Sequence, residues 1–199
     1  MSDSRPLPVA NDGDAVPMPL HALRDLCRIA MYAALIGAGA FIHVPVGPMH
    51  ISLQTMLVML AGFILGPKKA ALAILVYLAA GFIGLPMFGR GKAGPAAFLG
   101  PTSGFFLGFL LGAVIAGFSA RFGGGKGKRI AVRLAFGAAG SVILLLTGTL
   151  VLRLRFFDSW RQALMVGFFP FLPGDLVKMA IAAFLPEAFS MKTEEADGD

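Results

Sequence analysis

The sequence predicts an all-α integral membrane protein of six transmembrane helices, on three observations. Hydrophobic residues make up 57% of the 199-residue chain and charged residues only 14%, and the mean hydropathy is +0.79; soluble domains carry about 25% charged residues. The charge-poor region, from about Ile29 to Phe189, has room for five or six spans of roughly 17–25 residues. The charged residues sit in short loops between apolar runs, a pattern that sets topology in a bilayer. Residues 1–22 read as a polar, Pro-rich disordered tail, 23–189 as one membrane domain and 190–199 as an acidic tail.

The first span runs from about Leu26 to Ile42, and the loop His43–His50 leads to a second, about Ile51–Leu65. Gly66-Pro67-Lys68-Lys69 turns the chain into a third span, about Ala70–Leu85. A Gly/Pro loop, Pro86–Ser103, precedes the fourth span, about Gly104–Ala120, and the basic loop Arg121–Arg129 precedes the fifth, about Ile130–Leu152. Arg153–Pro173 holds an aromatic segment that completes the crossing of a short sixth span, about Gly174–Phe189. Arg24 and Arg28 before the first span resemble a cleavable signal, but the long leading tail and the later spans argue against one.

With the N-terminus inside, the inner face holds Arg24, Arg28, Lys68, Lys69, Arg121, Lys126, Lys128, Arg129 and Arg133, and the outer face Arg90, Lys92, Arg153, Arg155 and Arg161. This excess places both termini in the cytoplasm. The Pro/Gly-rich loops then share the outer face, where irregular backbone near lipid must be covered by protein or line a wet cavity.

Several function classes are excluded. The net charge of +6 is spread over separate loops rather than gathered into a patch for nucleic acid. Cys27 is the one cysteine, and His21, His43 and His50 lack the i, i+4 spacing of a helical metal pair. Gly123–Lys128 has the wrong spacing for a phosphate loop, with Arg129 where Ser or Thr is needed, so energy for active transport has to come from a partner or an ion gradient. No nucleophile elbow or Ser/His/Asp set stands on plausible faces.

The chemistry concentrates on Asp175 and Lys178, at the mouth of the last span after Phe171-Leu172-Pro173-Gly174. Ionisable groups in a span cost about 2.5–3.5 kcal/mol each on insertion scales. Their i, i+3 spacing puts them on one helix face, as a paired acceptor and donor for a compact polar group such as an amide or urea. The plainer alternative is a helix-capping Asp175 with Lys178 snorkelling outward. Gln54, Thr55, Thr102 and Ser103 lie near the same face. Ala30, Ala34 and Ala38 recur every four residues on the first span, and Gly104, Gly108, Gly112, Ala116 and Ala120 on the fourth. Such stripes let helices approach closely; the fourth span's suits packing within the chain, and the first span's suits either that or docking of another protein.

Phe169-Pro170-Phe171-Leu172-Pro173-Gly174-Asp175-Leu176-Val177-Lys178 resembles the signature opening the last helix of the BioY family, the biotin-binding S components of energy-coupling factor (ECF) transporters. Val44–Pro48, Ile51–Thr55, Leu65–Pro67, Gly84–Phe88 and Leu99–Phe105 resemble further family segments in order, so the likeness spans roughly Arg24 to Leu185. The resemblance implies an S-component-like bundle of six helices in the bacterial plasma membrane, with cytoplasmic termini. It implies no cofactor, biotin as the transported ligand, and coupling to a transmembrane subunit and ATPase subunits; a homo-oligomer stays open. Asp175 and Lys178 would bind the ureido ring, with Gln54 and Thr102 nearby. Phe88, Phe98 and Phe105 would pack the apolar remainder, and Arg90 or Lys92 would face the valerate carboxylate. Ala30-Met31-Tyr32-Ala33-Ala34 would be the docking motif. Thr147-Gly148-Thr149-Leu150 departs from the family in lacking aromatics, and Phe88–Lys92 is unusually basic. The competing readings are an S component for another small vitamin and a membrane-embedded enzyme using Asp175 and Lys178 as acid and base.

Overall fold

Long runs of Leu, Ile, Val, Ala and Gly can satisfy their own backbone in lipid only as helix, and helix dominates the computed structural model, which describes residues 19–46 and 49–196. The expected N-terminal tail up to residue 18, Gly47, Pro48 and the last three residues lie outside the described residues.

Helix α1 (Leu20–Gly39) buries Ile29, Tyr32, Ala33, Ile36 and Gly37 at helical spacing. Its other side, with Ala30, Ala34 and Ala38, is exposed. The segment expected as a loop and the start of the second span instead forms an antiparallel hairpin, β1 (His43–Val46) with β2 (Met49–Ser52), in the register His43 to Ser52 and Val46 to Met49. The β-branched Val44, Val46 and Ile51 favour extended backbone, and Leu53 N–H donates to Ile42 O at 3.0 Å to close its base.

Helix α2 (Gln54–Phe82) is two antiparallel helices, not one rod. Gln54 Nε2 donates to Tyr77 Oη at 2.8 Å, whereas 23 residues of continuous helix would hold them about 35 Å apart. The reversal falls at Gly66, whose backbone (φ 76°, ψ 173°) is open to glycine alone, and Pro67 restarts the helix where its missing N–H costs nothing. The Gly-Pro-Lys-Lys turn expected between the second and third spans is therefore present.

Helix α3 (Ser103–Phe118) lies against α4 (Lys126–Arg155) in a glycine ladder. A Cβ on Gly104 would meet Val151, one on Gly108 the Leu144 carbonyl, and one on Gly112 the Gly140 carbonyl. Advancing residues on one helix meet receding residues on the other, so the pair is antiparallel and its axes are close. The stripe on this span serves packing within the chain, as expected. Helix α4 starts four residues before the expected Ile130, taking Lys126, Lys128 and Arg129 into its first turns.

Helices α5 (Trp160–Gly167) and α6 (Leu172–Ala196) are bent by 42° and pass as one broken span. Among the described residues, α3 with its terminal turn and α4 are also long and apolar enough to cross a membrane, and α2 meets that measure only when its 29 residues are counted as one helix. The charged first turns of α1, with Arg24, Asp25 and Arg28, keep it outside that criterion. With α2 folded back on itself, the bundle has six helical segments in a multi-pass membrane protein.

The connections sort to two ends. Lys69 pairs with Asp25 at 2.6 Å, and Gly117 packs on Gly66 and Pro67. Arg129 and Arg133 reach Glu187 at 2.7 and 2.8 Å. Together these define a basic end. The β-hairpin, residues 86–102 and the α4–α6 connection define the opposite, loop end.

Candidate functional site

A cavity of about 540 Å³, counting its open mouth, lies at the loop end between α2, α3, α4 and α6. Its polar corner is built from the first turns of two helices and the last residue of β2. Helix α6 opens on Leu172-Pro173, and Asp175 N–H donates to Phe171 O at 2.8 Å, while the Asp175 carboxylate accepts from side chains.

Asp175 is 2% exposed. Thr55 Oγ1, from the second residue of α2, donates to Asp175 Oδ1 at 2.8 Å. Lys178 Nζ donates to the Ser52 carbonyl at 2.7 Å and lies 3.5 Å from Asp175 Oδ1. Lys178 thus turns inward to the end of β2 rather than snorkelling, and Asp175 is not spent as a cap. The second carboxylate oxygen, Oδ2, is buried and has no hydrogen-bond partner among the described residues. Beside this pair, Gln54 is held at both ends of its amide, donating to Tyr77 Oη at 2.8 Å and accepting from Ser52 Oγ at 3.3 Å.

The remaining walls are apolar: Phe105, Phe106 and Phe109 from α3, Leu144 and Leu145 from α4, and Phe171 before α6. Phe105 and Phe171 approach with ring centroids 6.0 Å apart. Gly148 explains the missing aromatic on the fifth span: any side chain there would occupy the space of the Phe105 ring, which reaches over from α3.

Of the residues expected at the site, Asp175, Lys178, Gln54, Thr102 and Phe105 line this one cavity. Phe88 and Phe98 do not. Phe88 is 1% exposed and stacks behind the Phe106 wall at 4.6 Å, with Phe98 against both rings. Gly81 leaves room for the Phe88 ring. Arg90 and Lys92 are exposed, although Gly89 next to them reaches the cavity. Ser52, Phe106, Phe109, Leu144, Leu145 and Phe171 join the site without having been singled out for it. Ala30 and Ala34 lie away from it, on the exposed side of α1. Among the described residues no three His, Cys, Asp or Glu side chains gather to hold a metal ion.

The fold has counterparts. The chain is similar to the biotin transporter BioY of Thermotoga maritima, 39% identical over 163 residues that cover 82% of this chain and 94% of the relative. It is 35% identical to a probable biotin transporter BioY of Pyrococcus horikoshii, covering 85% of this chain and 98% of that one. The crystal structure of the S-component for biotin from an ECF-type ABC transporter superposes with a TM-score of 0.76 at 26% identity, covering 87% of this chain and 94% of the other. The BioY family model matches residues 11–194, and with relatives this similar across nearly their whole length, the chain belongs to the BioY family.

Proposed function

We propose that this chain is a membrane subunit for biotin uptake, which captures biotin in the loop-end cavity and delivers it across the membrane when energised by a partner ATPase module. The observation that carries the reading is the unpartnered Asp175 Oδ2, buried beside an ammonium at the edge of an aromatic-walled cavity. A buried acceptor without a partner costs about 1–3 kcal/mol, and a guest with a donor removes that cost. Asp175 and Lys178 cancel in charge, so the fitting edge is neutral and presents N–H beside C=O. The ureido ring of biotin has that edge. Its N–H donates to Asp175 Oδ2 and its carbonyl accepts from Lys178 Nζ. The thiophane ring and valeryl chain pack on Phe105, Phe106, Phe109 and Phe171. Relatives and a structural counterpart named for biotin favour this guest over another vitamin.

The basic end faces the cytoplasm, following the excess of Lys and Arg there, so both termini are cytoplasmic and the cavity opens outward. The exposed Ala30, Ala34 and Ala38 side of α1 is the docking face for a transmembrane coupling subunit, because small side chains let two helices approach closely.

Calorimetric titration of the purified chain with biotin tests the reading. Asp175→Asn and Lys178→Ala are each expected to weaken binding roughly 10- to 150-fold, from about 1.5–3 kcal/mol per hydrogen bond to a charged group. Unchanged affinity in both variants refutes the site. Tighter binding of another member of a vitamin panel refutes biotin as the guest, and chemically altered ligand on release would point to an enzyme.

A further inference from the structure

The two oxygens of the Asp175 carboxylate are in different states. Thr55 Oγ1 and Lys178 Nζ both address Oδ1, at 2.8 and 3.5 Å, and none of the neighbouring groups addresses the buried Oδ2. An ionised carboxylate only accepts, so the Thr55 hydroxyl is the donor. The terminal torsion of an aspartate is broad, so the side chain by itself does not fix the angle at which the carboxylate plane meets the cavity. Thr55 comes from α2 and Asp175 from α6, and their bond is independent of any guest.

We infer that Thr55 is a specificity-determining positioning residue: by holding Asp175 Oδ1 it commits Oδ2 to the guest. The count on Lys178 runs in parallel. One N–H goes to the Ser52 carbonyl and one points at Oδ1, which leaves one of its three for the guest. The polar corner therefore offers one acceptor and one donor side by side. A guanidinium would satisfy Oδ2 and leave the Lys178 N–H unmet, and a carboxylate would do the reverse. Only an edge with N–H next to C=O satisfies both. Thr55 works by making this pattern single-valued. Without its bond only Lys178, at 3.5 Å, holds that oxygen, so the carboxylate plane can turn and no longer presents one acceptor in one place.

This inference rests on the biotin reading of the same cavity, and a double-mutant cycle separates the two. Biotin affinity is measured by titration on the full chain for wild type, Thr55→Val, Thr55→Ser, Asp175→Ala and the Thr55→Val/Asp175→Ala double variant, each checked for an unaltered elution profile and melting temperature. Thr55→Val is expected to lose about tenfold or more, the range for a hydrogen bond to a charged group. Thr55→Ser, which keeps the donor, stays within about threefold. In the Asp175→Ala background Thr55→Val adds less than about twofold, because its effect passes through the carboxylate. Equal losses from Thr55→Val in both backgrounds, or wild-type affinity in Thr55→Val, overturn the role of Thr55 and leave the biotin reading intact. A wild-type chain that does not bind biotin overturns both.

Discussion

Placing a single methyl group on the α3 glycine ladder tests how the bundle sets the shape of its cavity. At Gly108, a Cβ would lie 2.7 Å from the Leu144 carbonyl oxygen and 3.0 Å from Leu144 Cα. Both atoms are backbone, so no rotamer change relieves the clash. At Gly112 the nearest atoms are 3.0 Å away at the Met59 Cε and 3.1 Å at the Gly140 carbonyl, and the first of these is the tip of a flexible side chain. Ordinary contact begins near 3.4 Å. The deficit at Gly108 is therefore about twice that at Gly112, and it falls on rigid atoms. Overpacking costs about 1–3 kcal/mol, while Gly→Ala gains up to about 1 kcal/mol in helix propensity. Gly108→Ala should thus be net destabilising by about 1–2 kcal/mol and Gly112→Ala close to neutral. Leu144 lines the cavity, so the shift forced by Gly108→Ala also displaces an apolar wall and weakens biotin binding. Melting temperatures in detergent and calorimetric affinities measure both effects. A Gly108→Ala variant at least as stable as Gly112→Ala, with undiminished affinity, would refute this account of the α3–α4 contact.

Three further outcomes follow from single contacts. Gly66→Ala places a side chain where there is open space but φ is 76°; the cost is conformational, about 1–3 kcal/mol, seen as a lower melting temperature with affinity retained. Glu187→Gln removes the charge shared by Arg129 and Arg133 and should cost about 1–3 kcal/mol, again without weakening biotin binding, since Glu187 lies about 18 Å along α6 from Asp175. Ala34→Trp fills the exposed side of α1 and should abolish co-purification with the coupling subunit and uptake in cells, while the isolated variant binds biotin as wild type does.

Much of this architecture is legible in the chain, for reasons that differ by element. Hydropathy reveals the spans because lipid leaves a backbone few alternatives, and Gly66-Pro67 reveals the tight reversal because glycine reaches that φ and proline suits the helix start. The β-hairpin is hidden: Pro45, Gly47 and Pro48 interrupt its alternation, and its pairing is a tertiary fact. Asp175, Lys178 and Gln54 stand out because polar groups in apolar helices need partners. Phe106, Phe109, Leu144 and Leu145 do not, since α3 is apolar on every side and this part of α4 offers only the hydroxyls of Ser141, Thr147 and Thr149, too weak a polar signal to tell inward from outward. Phe88 and Phe98 mislead for a related reason. An aromatic in a loop above a cavity can line it or back its wall, and the ring stack on Phe106 selects the second. Ser52 contributes a main-chain carbonyl, an atom that every residue has.

The packing beneath the cavity bears on how a guest leaves it. Towards the basic end, α2 and α3 meet so closely that a Cβ on Gly62 would lie 2.6 Å from the Ala113 carbonyl, and one on Gly117 2.6 Å from Pro67 N. Gly112 and Gly140 bring α3 and α4 together in the same way, and Glu187 ties α6 to α4 below them. A path for biotin through the bundle would have to part several backbone-to-backbone contacts and a part-buried ion cluster together. The loop end is different, since its walls are side chains and its roof is hairpin and turn. Guest release inside the cell is therefore more economical if the bundle as a whole changes the direction its mouth faces than if its core opens. Such a change needs a partner that binds one orientation better than the other, because no equilibrium shifts by more than that difference in affinity. The exposed alanine side of α1 is where such a partner can reach the bundle without touching Asp175 or Lys178, so capture and delivery can be altered by separate mutations.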